Sequence, residues 1–165
     1  MMKILVVYYS LEGNTDYIAQ MIARKCGAVL ERLRPENEPP KNALRYIIGG
    51  REAIRNEKAR LNTTVYDPEA YDMIVVGSPV WAGRMTPAVR EYLVSHPFEG
   101  KKTAIFACSA SGKADRTIDG IRTLMAGNEV IGTASFRHPL RYSNKAEIQV
   151  NRFLEETGLA AAQKK

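Results

Sequence analysis

The chain has 165 residues, 45% of them hydrophobic, and 24 Lys and Arg against 18 Asp and Glu for a formal charge of +6. That length suits one domain able to bury roughly 70% of the surface its unfolded form exposes, and its apolar runs fall short of the roughly 20 residues that span a bilayer. The basic balance comes without an arginine-rich run or base-stacking motif, which argues against nucleic acid, while Cys26 and Cys108 stand apart in no metal-spaced cluster.

The first expected element is an apolar strand, Lys3 to Tyr9, leading through a short loop into an amphipathic helix marked by Ile18, Met21, Ile22 and Cys26. Glu12 follows the strand closely and no small-residue cleavage site is seen, so no signal peptide and a cytoplasmic location are expected. The loop, Ser10 to Thr15, holds hydroxyls, an amide and Gly13, but no lysine or arginine. Unpaired backbone N–H groups at a helix start, with about half a positive charge from the helix dipole, make such a loop a phosphate cradle. Ser10, Asn14 and Thr15 add side-chain donors, and Gly13 lets the main chain approach the anion.

Further strands are expected at Val29 to Leu33, Asp72 to Gly77, Thr103 to Cys108 and Val130 to Phe136, short apolar runs that suit a parallel sheet covered on both faces. Helical stripes lie between and after them: Val89, Tyr92 and Leu93; Ile118, Ile121, Leu124 and Met125; Val150, Phe153 and Leu154. Thr86-Pro87 supplies a cap and a first-turn proline, and Ser95-His96-Pro97 stops the same helix. Asp115 is expected to cap the next helix and Gly127 to end it, and Asn144 and Glu147 have capping-box spacing ahead of Gly158. Ala160 to Lys165 are expected to fray. The irregular segment Pro35 to Pro68 holds an expected helix, Ala43 to Arg60, whose five basic and two acidic residues read as a solvated outer face. Residues 1–165 are thus expected to form one α/β domain.

In an open parallel sheet, ligands gather beyond the carboxyl ends of the strands, where the strand order reverses. The loops after strands one, three and four are therefore neighbours. They read Tyr9-Ser10-Leu11-Glu12-Gly13-Asn14-Thr15, Gly77-Ser78-Pro79-Val80-Trp81-Ala82-Gly83 and Cys108-Ser109-Ala110-Ser111-Gly112. On these three motifs the chain resembles the flavodoxin family, whose members hold flavin mononucleotide (FMN). The resemblance implies a flavodoxin-like three-layer sandwich around a five-stranded parallel sheet in the order 2-1-3-4-5. It implies phosphate contacts from Ser10, Leu11, Gly13, Asn14 and Thr15, and an isoalloxazine lined by Pro79, Val80, Trp81, Ala82 and Gly83, with Ser109 and Gly112 closing the ring site. Rival phosphate sites fit less well: no G-x-G-x-x-G follows the first strand, and Ser111-Gly112-Lys113 is followed by Ala114 where a Walker sequence needs Ser or Thr.

A bound flavin performs the redox chemistry and the protein decides what reaches it. Electron-carrying flavodoxins resemble this chain in layout but are acidic, and many cover the outer flavin face with an aromatic from the third loop; here that loop has none. One ring face is expected to be open, unless Tyr142 covers it. The resemblance implies an FMN protein carrying electrons between redox partner proteins, or else a flavin-dependent oxidoreductase acting on a small nicotinamide or quinone, with a homodimer in view. Lys113 and Arg116 are candidates for raising the flavin potential. His96 and His138 each precede a proline and are assigned to structure, and Cys108 to packing.

Overall fold

The computed structural model describes residues 1–39 and 59–160. Alternation along β1 (Ile4–Tyr8) sends Leu5 and Val7 to one face of the sheet and Ile4, Val6 and Tyr8 to the other, and all five are buried. The chain continues through α1 (Asn14–Cys26), β2 (Val29–Arg32), β3 (Met73–Pro79), α2 (Pro87–Ser95), β4 (Lys102–Ser109), α3 (Asp115–Leu124), β5 (Glu129–Arg137) and α4 (Ser143–Glu156). The five strands form one sheet in the order β2-β1-β3-β4-β5, every pair parallel, as the resemblance implied. Ile18 and Ile22 of α1 pack with Val150 and Phe153 of α4 over one face. Val89 and Tyr92 of α2 pack with Ile118 and Ile121 of α3 over the other. Each buried side chain of this size contributes about 1.5–3 kcal/mol, so both layers are tied to the sheet by burial.

β3 runs two residues past its expected end. Pro79 pairs with Cys108 but lacks an N–H, and the ladder passes to Val80, whose N–H donates to the Cys108 carbonyl at 2.9 Å. That extension sets the second loop above β4.

The helix starts depart from the local signals. Thr86 precedes α2 and Pro87 opens it, yet the buried Thr86 hydroxyl caps nothing; its N–H donates to Ser78 Oγ at 3.1 Å. Asp115 is the first residue of α3, with Ala114 in the cap position, and α3 ends at Leu124, before Gly127. The capping box at Asn144 does not form, because α4 begins one residue earlier and Glu147 pairs instead with Lys25 of α1 at 3.1 Å. A tertiary ion pair has displaced a local motif.

The expected helix Ala43 to Arg60 lies outside the described residues except for Ala59 and Arg60, and the tail expected to fray, Ala160 to Lys165, lies outside them except for Ala160. The flanks of the former are pinned together: Pro35 bridges Leu61, Glu36 N–H donates to the Arg60 carbonyl and Asn62 N–H to the Arg34 carbonyl, both at 2.8 Å. Among the described residues, no helix is long and apolar enough to cross a membrane.

Candidate functional site

The loop after β1 is shaped by a glycine. Gly13 takes φ 99° at the start of α1, a left-handed conformation that glycine adopts without the penalty a Cβ would bring, and it offers no side-chain oxygen to cap the helix. Its own N–H donates to Ser10 Oγ at 3.2 Å. The first N–H groups of α1 are left to whatever occupies the loop. Two residues on, Thr15 is 1% exposed and its hydroxyl, beside the Cys108 thiol, meets no oxygen or nitrogen partner among the described residues. An unsatisfied buried hydroxyl costs about 1–3 kcal/mol; the hydroxyls of Tyr9, Thr86, Tyr92 and Thr117 are also unsatisfied, and Thr15 is the one at the start of α1. Asn14 Oδ1 accepts the Leu140 N–H at 3.2 Å, which ties the loop to the segment after β5.

A cation from β2 touches this loop. Arg32 Nη2 donates to the Ser10 carbonyl at 3.1 Å, and Nη1 lies 3.6 Å from the Asp16 carboxylate. Asp16 in turn accepts from the Tyr8 hydroxyl at 2.5 Å and from Gln20 at 2.7 Å.

After β3, Trp81 and Arg84 exchange two N–H···O bonds of 2.9 Å around Ala82 and Gly83, at φ 49° and 73°. Two successive positive φ values are the signature of a type I′ turn. The turn fixes Trp81, 7% exposed, edge-on to Tyr9 with ring centroids 5.6 Å apart. After β4, Ser109 Oγ accepts the Gly112 N–H at 2.8 Å, closing the third loop on itself. Burial pushes the Cys108 thiol up to about 12, with the Thr15 hydroxyl opposing, so it stays protonated at neutral pH and inert.

One cleft at the carboxyl edge of the sheet gathers these pieces. Ser10, Leu11, Asn14, Thr15, Pro79, Val80, Trp81 and Ser109 line it, as do Glu12, Cys108, Ala110, His138 and Pro139. Gly13, Ala82, Gly83 and Gly112 form the turns behind the lining. His96 is a packing residue, stacked on Tyr92 at 4.5 Å and bonded to Thr64 Oγ1 at 3.0 Å. His138, also assigned to structure, lines the cleft at φ 37°, a position the sequence reading did not give it. The missed signal was topological, because a fifth parallel strand must also open its carboxyl end at this edge. The donors around α1 are neutral and suit an anion, while Glu12, exposed at the cleft, is the opposing charge. Among the described residues, no cluster of His, Cys, Asp or Glu could hold a metal.

A 2-1-3-4-5 parallel sheet with an uncapped helix start and three ligand loops at one edge defines a flavodoxin-like protein. The family model described as Flavodoxin matches residues 3–133, and the chain belongs to that family. It is 30% identical over 146 residues to an NAD(P)H dehydrogenase (quinone) of Acidovorax ebreus, covering 80% of this chain and 70% of that protein. A second protein of that name, from Azorhizobium caulinodans, is 27% identical over 92% of this chain and 77% of its own length. Among solved structures, a flavoprotein of Lactobacillus acidophilus in complex with FMN superposes with a TM-score of 0.61 at 22% identity, over 87% of this chain and 98% of that one. Oxidised Flavodoxin 2 of Bacillus cereus gives 0.64 at 18% identity, over 94% and 97%.

Proposed function

We propose that this chain binds FMN in the cleft and carries electrons between redox partners. The carrying observation is the uncapped start of α1, where the buried Thr15 hydroxyl meets no oxygen or nitrogen partner among the described residues. In this reading Ser10, Leu11, Gly13, Asn14 and Thr15 hold the phosphate, and Pro79, Val80 and Trp81 line the ring. Ala82 and Gly83 hold Trp81 in place, while Ser109 and Gly112 close the far side. Bound FMN supplies one- and two-electron transfer. Trp81 and Pro79 exclude water from its ring face, and the loop N–H groups fix its tail. Residues 1–165 act as one domain, and a cytoplasmic location suits the two unpaired thiols, Cys26 and Cys108.

A second reading, an FMN-dependent reductase of quinones using a nicotinamide donor, is favoured by the names of the relatives in Acidovorax and Azorhizobium. The third loop, without an aromatic to shield the flavin, suits it as well.

Calorimetry with FMN and with riboflavin tests the site. The wild-type chain is expected to prefer FMN strongly, and Thr15→Val to weaken FMN binding about tenfold while leaving riboflavin unmoved, the value of one hydrogen bond to a charged acceptor. Absence of heat with FMN rejects the cofactor. Anaerobic addition of NADH or NADPH to the loaded protein then separates the readings: a carrier keeps its yellow colour, and a reductase is bleached.

A further inference from the structure

Five exposed cations lie on the segments that flank the cleft: Arg84 and Lys113 in the second and third loops, Arg116 in the first turn of α3, Arg137 at the end of β5 and Arg141 beyond it. Arg84 follows the type I′ turn, and Arg116 reaches back to within 3.8 Å of where a side chain on Gly83 would begin. Lys113 follows the third loop, and the Cβ of Arg137 stands 3.2 Å from the same point on Gly112. Arg141 completes the arc, its guanidinium 5.5 Å from the Tyr142 ring centre with that of Arg137 at 5.8 Å. Arg116 thus lies against the second loop, and Arg137 links the third loop to the segment after β5. None of the five joins an ion pair among the described residues, where the pairs are Lys25–Glu147, Arg32–Asp16 and Lys101–Glu69. The exposed acids beside them are Asp115 and Asp119 on α3, with Glu12 at the cleft.

We propose that this collar docks the acidic face of a redox partner protein over the mouth of the cleft. The proposal rests on the electron-carrying reading above and adds the sign and kind of the partner. A small anion would draw cations to one point, but these come from two loops, the start of α3 and the end of β5 and beyond, with Leu140, 52% exposed, and Tyr142, 38% exposed, among them. Exposed apolar and aromatic groups ringed by arginines are the anatomy of a protein interface. The uncompensated positive field steers an acidic partner toward the cleft and repels a basic one.

The test is an NMR titration of the isotope-labelled full chain with short poly-L-glutamate at low salt. Shifts are expected at residues 82–84, 112–116 and 137–142, and raised salt is expected to erase them. Arg116→Gln/Arg137→Gln/Arg141→Gln should weaken binding about tenfold, whereas Lys102→Gln, at the opposite edge of the sheet, should change nothing. No binding, shifts centred elsewhere, or equal shifts from inorganic phosphate or NADP⁺ would overturn the proposal. FMN calorimetry on the same samples separates the two levels. Retained FMN binding without collar shifts removes the docking alone, and absent FMN binding removes the reading beneath it.

Discussion

Arg32 acts on the phosphate loop through a carbonyl. In a trans peptide the C=O and the following N–H point in opposite directions, so holding the Ser10 carbonyl on the β2 side turns the Leu11 N–H away from Arg32. Arg32 is thus a positioning residue for a donor assigned to the phosphate. Arg32→Gln is expected to lower the affinity for FMN about three- to tenfold, a discounted value because the side chain is one-third exposed. Fluorescence titration with FMN and riboflavin checks it: the FMN-to-riboflavin preference should shrink, and an unchanged ratio counts against the role. Nothing in the sequence announced this contact. Arg32 and Ser10 are 22 residues apart, and they meet only because the β1–β2 register sets Arg32 opposite Tyr8. Ser10, Asn14 and Thr15, in contrast, were legible because their loop is local, framed by an apolar strand and a helical stripe.

Among the elements, the junction of β3 and β4 tolerates the least change. A Cβ on Gly77 would fall 2.2 Å from the Phe106 ring, which is fully buried and edge-on to Phe136 at 6.3 Å. That ring has no room to retreat, so Gly77→Ala should cost about 1–3 kcal/mol or more. Denaturant unfolding measures it as a lower midpoint at unchanged slope. The strands themselves were visible as short apolar runs, and the sheet order followed from the three loop motifs. Their ends were less visible. A Gly-Ser-Pro run reads as a loop, yet the ladder continues to Pro79 because β4 supplies partners there. The caps of α3 and α4 also escaped local rules, since Glu147 had a better partner in Lys25 than in its own helix start.

At the scale of the whole molecule, burial sets a limit at alkaline pH. Burial raises Cys108 from 9.0 to about 12, and it also raises Cys26 and the phenols of Tyr8, Tyr9 and Tyr92. Above about pH 9 the unfolded chain releases thiol protons that the folded chain retains, so the folded state binds more protons and stability falls as pH rises. The contribution is complete below about pH 9 and is lost through about pH 12. The denaturation midpoint should therefore decline steadily from about pH 9 upward, and a flat profile would contradict it. The net charge was evident from composition, but its concentration around the cleft was not. Arg84, Arg116 and Arg141 follow three different strands, β3, β4 and β5, whose carboxyl ends the sheet order sets side by side.

The missing cap on α1 couples loading to persistence. On the proposed placement of the FMN phosphate, a helix whose opening turn is completed by a visiting dianion borrows part of its fold from solution. Saturation at a hundredfold excess over Kd then adds about 2.7 kcal/mol to the folded state. The lifetime of this chain in a cell is accordingly tied to the local supply of phosphorylated vitamin.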